Sequence, residues 1–363
     1  MVSRPQRTHL RRTTVNTTVF GTGTGSGTGA TPVARFVRTV ALGTASLMAV
    51  AGCAGAPAAE KKAADPSDEN FPVEVTSCGH TSTVTAAPEN AVTLNQGATE
   101  VVLALGLEDQ LAGTAYLDDE VPEQWKAAYD RVPVLSDEYP TNEQLVQVEP
   151  DFVYASYGSA FDKSVAGSQK SLEKAGTASY LSPFGCEEQS LRPSTSWDSI
   201  WEEIDTVAAA FGAPERAADF RKEQGDLLDE LAKTGAGDGL TVLWYDSGTK
   251  TPFVGAGGGG PQLILDAVGA SNIFADLDGG WADGNWEDVV DADPDVIVLA
   301  DAGWDRAEDK IAHLEKDPVL SQLTAVKAKR FVTIPFSEST PGVRLADGAA
   351  SVSAQLAELP AVQ

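Results

Sequence analysis

The chain has 363 residues, with 26 Lys and Arg against 53 Asp and Glu, a formal charge of −27. That balance excludes a protein that works by gripping nucleic acid phosphates, and one that docks electrostatically to anionic lipid. Hydrophobic residues make up 42%, enough to bury real cores and too many for a wholly disordered chain, while three His leave too few for a histidine-built zinc centre.

The charge is uneven. Residues 1–52 hold six Arg and no acidic residue; without them 20 basic residues face 53 acidic ones, a body near −33. Arg35 and Arg38 precede an apolar run from Val40 to Gly52, which is too short to span a bilayer and has the flank and small-residue exit of a secretory signal. The exit Val50, Ala51, Gly52, Cys53 resembles the bacterial lipobox, in which the Cys thiol receives a diacylglyceryl group and becomes the new amino terminus. Residues 1–52 are therefore expected to be a leader and lipoprotein signal peptide. Residues 53–70 lack periodicity and are expected to be a flexible tether. An exported chain left with Cys78 and Cys186 is expected to bridge them, the alternative being two buried thiols.

From Phe71 short β-rich runs alternate with amphipathic helical runs. Residues 91–94, 111–116 and 151–155 are predicted strands; 99–105 and 143–148 are predicted helices. This β-α-β-α-β order marks a parallel sheet flanked by helices. Helical spacing then runs over 196–211 and again from Pro214 to Lys233, broken by Gly212. The second stretch would be roughly 30 Å long and would join two lobes stiffly. A second series follows: strands at 240–245, 295–300 and 330–334, helices at 262–268 and 345–359. The two series echo each other. Residues 142–154 align with 286–298, each with a Glu seven residues before a Pro-Asp pair that opens a strand, and the helix ends at Gly106 and Gly269 also correspond. The expected organisation is an N-terminal lobe over 71–192, connecting helices over 193–238 and a C-terminal lobe over 239–360.

Catalytic constellations are absent from this sequence. His80 and His313 sit near no Gly-x-Ser-x-Gly turn, and the glycines from Gly255 to Gly260 are followed by Pro261 rather than by a phosphate-loop Lys. Aromatic residues near strand ends are more informative, because open parallel sheets bind ligands outside the carboxyl ends of their strands. Tyr116, Tyr157, Trp244, Trp281 and Trp304 are candidate ligand-stacking residues. Arg344, between the last strand and the last helix, is a candidate partner for an anionic ligand group, the bland alternative being a surface ion pair. Glu143 and Glu287 hold the same place in the two lobes. Symmetric carboxylates on two lobe tips suit a two-fold partner bearing Arg, whereas singly each would be a helix-start Glu favoured by the helix dipole.

The series of lipobox, Ala98 to Gly106, Gly113 to Tyr116, Glu143 to Asp151, long helix and Glu287 to Asp295 resembles the periplasmic-binding-protein family for iron-siderophores and cobalamin, over about residues 73–357. The resemblance implies an α/β protein of two Rossmann-like lobes with parallel sheets, joined by one long rigid helix, with the ligand cleft between the lobes. It implies no enzymatic activity and no resident cofactor. The expected protein is a monomeric substrate-binding lipoprotein on the outer face of the cytoplasmic membrane, held there by its lipid alone. It would carry a ferric siderophore-type ligand to an ABC permease dimer with a cytoplasmic ATPase, with Glu143 and Glu287 docking on permease arginines. The stretches around Trp244, Pro252 to Gly255, Trp281 and Asp301 to Trp304 resemble an actinobacterial subgroup whose proposed cargo is a deazaflavin coenzyme precursor. That ligand and a cobalamin-like one are the alternatives, and a lone cleft cation argues against a strongly anionic catecholate. From a different class, an exported thiol or redox enzyme using Cys78 and Cys186, or a structural lipoprotein, would also fit the leader.

Overall fold

A computed structural model describes residues 70–360, all within one compact unit, Ala64–Gln363. The leader, Cys53 and the tether up to residue 69 lie outside the described residues. A hairpin opens the described chain: β1 (Val73–Ser77) and β2 (His80–Val84) pair antiparallel through a two-residue turn. Cys78 and Gly79 both have positive φ there, as a type I′ turn requires.

The first sheet follows, built from β3 (Ala91–Leu94), α1 (Gln96–Ala104), β4 (Leu111–Ala115), α2 (Glu123–Tyr129), β5 (Val134–Ser136), α3 (Asn142–Gln147), β6 (Phe152–Ala155), α4 (Gln169–Ala175) and β7 (Ala178–Leu181). Its strands run in the order β5-β4-β3-β6-β7, all parallel, as the alternating pattern predicts. Then come α5 (Trp197–Ala210) and α6 (Pro214–Thr234), the latter 21 residues long and closed by Gly235 in the left-handed region. Pro at its first turn and Gly at its end are the residues that start and stop a helix most cheaply.

The second sheet contains β8 (Thr241–Ser247), β9 (Phe253–Gly255), α7 (Gly260–Val268), β10 (Ser271–Asn272), β11 (Trp281–Asp283), α8 (Trp286–Ala292), β12 (Val296–Asp301), α9 (Ala307–Lys316), α10 (Thr324–Lys327), β13 (Phe331–Pro335) and α11 (Leu345–Glu358). Its order is β11-β9-β8-β12-β13, with β10 also beside β8. Here the structure departs from a purely parallel sheet, since β9 runs antiparallel to both β8 and β11. β9 and β11 have three residues each, too few for a period-two signal in sequence.

The repeat has a structural counterpart. Asp151 opens β6 and accepts the backbone N–H groups of Glu89 and Asn90, just before β3. Asp295 opens β12 and accepts the N–H and hydroxyl of Thr241 at the start of β8. Each aspartate thus pins the register of one central strand pair. One continuous apolar core runs from β3 and α1 through α5 and α6 to β8, β12 and α11; α6 lays one face on it, burying Ala217 and Leu231 beside α5, α7 and α11, and exposes the other.

Trp197 and Trp201 of α5 are partly buried against this core, with Arg221 over the Trp201 ring at 4.9 Å. A polar group sits inside the core as well. Tyr154 on β6 donates its hydroxyl to Glu203 on α5 at 2.6 Å. Burial pushes the Glu203 carboxyl from 4.5 up to about 7, against the opposing hydrogen bonds from Tyr154 and Ser182. Between pH 4.5 and about 7 the unfolded chain ionises this group while the folded chain keeps its proton. Its contribution to stability is therefore full at low pH and falls as pH rises, by on the order of 3 kcal/mol. Glu203→Gln should match the parent at pH 4.5 and exceed it at pH 8 in urea denaturation. A variant less stable than the parent at pH 8 would show that the ionised carboxylate is the favoured form.

Candidate functional site

The carboxyl ends of the parallel strands of both sheets face one cleft. The loop after β4 comes from the first lobe, and those after β12 and β13 from the second. Between them lies a cavity of about 270 Å³ lined by Asp119, Glu120, Asp301, Ala302, Gly303, Arg306, Pro335 and Arg344.

Its first-lobe wall is organised from α1. Gln96 accepts the backbone N–H groups of Asp118 and Asp119 through its Oε1, at 2.9 Å each, and donates to Glu100 one turn along. The 118–120 loop is thereby held against the second lobe, where Asp119 Oδ2 accepts the Ser337 N–H at 3.1 Å. Gln124 on α2 reaches Asp347 on α11 at 3.4 Å.

The aromatic candidates divide. Tyr116 follows β4 with φ of 63° and stands edge-on to Tyr139 at 4.6 Å. Tyr157 follows β6 and is 38% exposed. In the second lobe Phe336 collects two of the others: Trp304 lies edge-on to it at 5.2 Å and Trp281 is tilted against it at 6.4 Å. Trp304 is 47% exposed and follows Gly303 of the cavity wall. Phe336 was missed in sequence, although its place directly after a strand is the signal that selected the others.

Trp244 is a correction. It is fully buried in the core, because β8 has neighbours on both edges and cover on both faces. Its ring lies against Gly255, where a Cβ would stand 2.8 Å from its Cγ. The glycine run likewise serves packing rather than phosphate. A Cβ on Gly257 would stand 1.9 Å from the Ala275 carbonyl oxygen, and one on Gly260 2.0 Å from that of Ser339.

Arg344 reaches the cavity wall. It borders the cavity but is only 5% exposed, and its guanidinium is engaged. Nη2 donates to Glu338 at 2.7 Å; Nη1 donates to the Ser337 hydroxyl and faces Glu100 of the first lobe at 3.4 Å. Burial drives the Glu100 carboxyl up from 4.5 to about 7, although Arg344 pulls the other way. Burial likewise raises Glu338. Glu100 was overlooked in the sequence. Its one local signal is a Gln and a Glu four residues apart on a helix that is otherwise apolar.

Deeper in the second lobe, Lys310 is buried and donates to the carbonyls of Ala300 and Asp305, with Asp305, Asp246 and Asp301 around it. Desolvation lowers its pKa, those carboxylates opposing, and burial raises Asp246 to about 6. Among the described residues no group of three or more His, Cys, Asp and Glu is arranged to hold a metal ion, and no helix is long and apolar enough to cross a membrane.

Glu143 and Glu287 lie away from these walls. Each is exposed and is the second residue of its short helix, α3 or α8, behind a side-chain cap from Thr141 or Asn285. Cys78 and Cys186 form a disulfide, so neither is a free thiol beside His80.

Two α/β lobes of repeated design, closing loop-lined strand ends on one cleft, define a two-lobed binding protein. The chain belongs to the periplasmic binding protein family, whose model matches residues 92–338. That family consists of substrate-binding transport proteins rather than enzymes. A vitamin B12-binding protein of Pectobacterium atrosepticum is 27% identical over 282 residues, covering 76% of this chain and 90% of that one. A cobalamin-binding protein of Halobacterium salinarum is 26% identical over 248 residues, 63% of this chain; the chain spans only 58% of that relative. Among solved structures, a periplasmic binding protein from Veillonella parvula superposes with a TM-score of 0.69 at 28% identity, covering 80% of this chain and 98% of that one. An Fe3+-hydroxamate transport protein from Saccharomonospora viridis shares the fold, with a TM-score of 0.63 at 22% identity over 78% and 99%.

Proposed function

We propose that this protein is the extracytoplasmic substrate-binding lipoprotein of an ABC importer, anchored through Cys53, which captures a ferric siderophore-type ligand and hands it to the permease. The observation that carries this reading is the interlobe cleft, with Tyr116 and Tyr157 following strands of one lobe and Trp304, Phe336 and Trp281 grouped in the other. Aromatic faces suit a large ligand with flat or apolar parts. The cavity is smaller than the roughly 300–1,000 Å³ typical of small-molecule sites, so a siderophore-sized ligand requires the lobes to part.

Mass spectrometry of ligand released from natively purified protein tests the reading. An iron chelate is the expected result, and a metal-free deazaflavin would overturn it. A second reading, a cobalamin-like ligand, is favoured by the names of the curated relatives; a cobalt corrinoid in the same experiment would establish it.

A further inference from the structure

We propose that Glu100 is a specificity-determining residue that closes this cleft to anionic ligands by occupying Arg344 from the opposite lobe; the inference rests on the cleft being the ligand site. A buried arginine bordering a binding cavity is ordinarily an anion receptor, because its fork of N–H groups matches a carboxylate or phosphate in two places. Here the fork is spent. Nη2 belongs to Glu338, Nη1 to Ser337 and Glu100, and only Nε is left without a partner. Nε is buried, so an anionic ligand can be gripped in two places only by displacing one of these partners.

Displacing Glu100 would not help such a ligand. The carboxylate is buried among α1 side chains, with Gln96 as its other hydrogen-bond donor and Asp119 near enough to repel it. Without Arg344 it would lose the cation that opposes its desolvation, so an anion that takes the arginine also bears the cost of stranding or protonating Glu100. The rest of the cavity gives an anion little. Asp119, Glu120 and Asp301 line it against a single further cation, Arg306. With Glu100 and Glu338 counted against Arg344, the wall is net negative. The ligand class this selects is neutral or cationic where the ligand meets the Arg344 end of the cleft. The long-range separation of the pair, 244 residues from α1 to the N-terminus of α11, makes the selection a property of the two lobes together.

Two measurements decide it. In the first, thermal melting is followed with and without 10 mM sulfate. Glu100→Gln keeps the shape and the accepting oxygen of the side chain but removes the negative charge facing Arg344, so sulfate should raise its melting temperature about 2–4 °C more than that of the parent, the shift expected for tenfold-saturating binding to a chain of this size. Glu100→Gln/Arg344→Gln should lose the response. Equal shifts in parent and Glu100→Gln, or a response that survives in the double variant, overturn the proposal.

In the second, quenching of tryptophan fluorescence is titrated with three ferric hydroxamates of one scaffold: ferrioxamine B with its free ammonium, its neutral N-acetyl form and its anionic N-succinyl form. The parent should bind the anionic form about tenfold or more weaker than the cationic one, and Glu100→Gln should narrow that gap. Parent protein that binds the anionic form as tightly as the cationic one overturns the proposal. If none of the three binds while the sulfate difference holds, the role of Glu100 stands and the siderophore reading falls.

Discussion

Serine at both Cys78 and Cys186 should lower the stability of the protein by about 4–5 kcal/mol, the loss expected when a cross-link closing a loop of about 100 residues is removed. The two cysteines are 108 positions apart, so the bridge restricts a large part of the unfolded first lobe. It also ties down an element that otherwise rests on Val75 and Val84 in the core and on hydrogen bonds to β7. The β1–β2 hairpin joins neither main sheet. Its buried positions include Ser77 and Ser82, which hydrogen-bond the backbone of Leu181 and Ser179 in β7 rather than contribute apolar area. Unfolding in urea, followed by circular dichroism, gives the loss directly, and the oxidised parent treated with reductant should fall to the level of the variant. A loss under about 1 kcal/mol would show that the native packing alone fixes the hairpin. The same experiment bears on the thiol-enzyme alternative, since a bridge with a structural role leaves no redox function to lose.

What the sequence disclosed, and what it hid, follows from the range of each interaction. The repeat was legible because it is local: Glu, helix, Pro-Asp and strand recur within 13 residues, and the structure uses both aspartates for the same register clamp. Helix ends at Gly106, Gly212 and Gly269 were legible because only glycine takes the left-handed conformation cheaply. The hairpin was not, because serines at buried positions break its apolar alternation. Trp244 misled for a related reason. In a strand covered on both faces, position along the sequence does not tell a cleft residue from a core one, and the strand-end rule was applied three residues too early. Arg344 was correctly placed at the cleft, but its partner Glu100 lies on another lobe, and no pattern within a window of residues reports such a pair. The acidic composition in turn says more about the cleft than expected. Carboxylates from the 118–120 loop, β12 and α1 surround the one arginine that was taken for a ligand partner.

Glu143→Ala/Glu287→Ala should reduce ligand uptake by cells at least about tenfold while leaving ligand affinity and folding unchanged, if these residues dock the permease. Both side chains are exposed and stand in the first turn of a capped helix, where the helix dipole favours a negative charge without a fixed partner. Both helices start at the carboxyl-end edge of their sheet, the edge that carries the cleft, so a partner touching both tips would face the ligand. One turn along, each Glu has an apolar companion at the equivalent repeat position, Val146 or Val290; Val146 is 60% exposed. Beside Glu287 the surface is hollowed into a groove of about 440 Å³, with Trp286, Val290, Val319 and Leu320 against Asp291 and Asp317. An arginine with an apolar flank fits such a place, its guanidinium on the carboxylates and its stem on the valines. Exposed surface charges of this kind cost little to remove, so melting should shift by less than about 0.5 kcal/mol equivalent. Their loss acts on encounter and register with the partner instead. Each single substitution should give an intermediate loss, and Glu→Arg at either site a deeper one that an Arg→Glu change on the permease restores. Uptake that survives the double substitution would sink the docking role, as would a parallel fall in ligand affinity, which would place these carboxylates with the cleft instead.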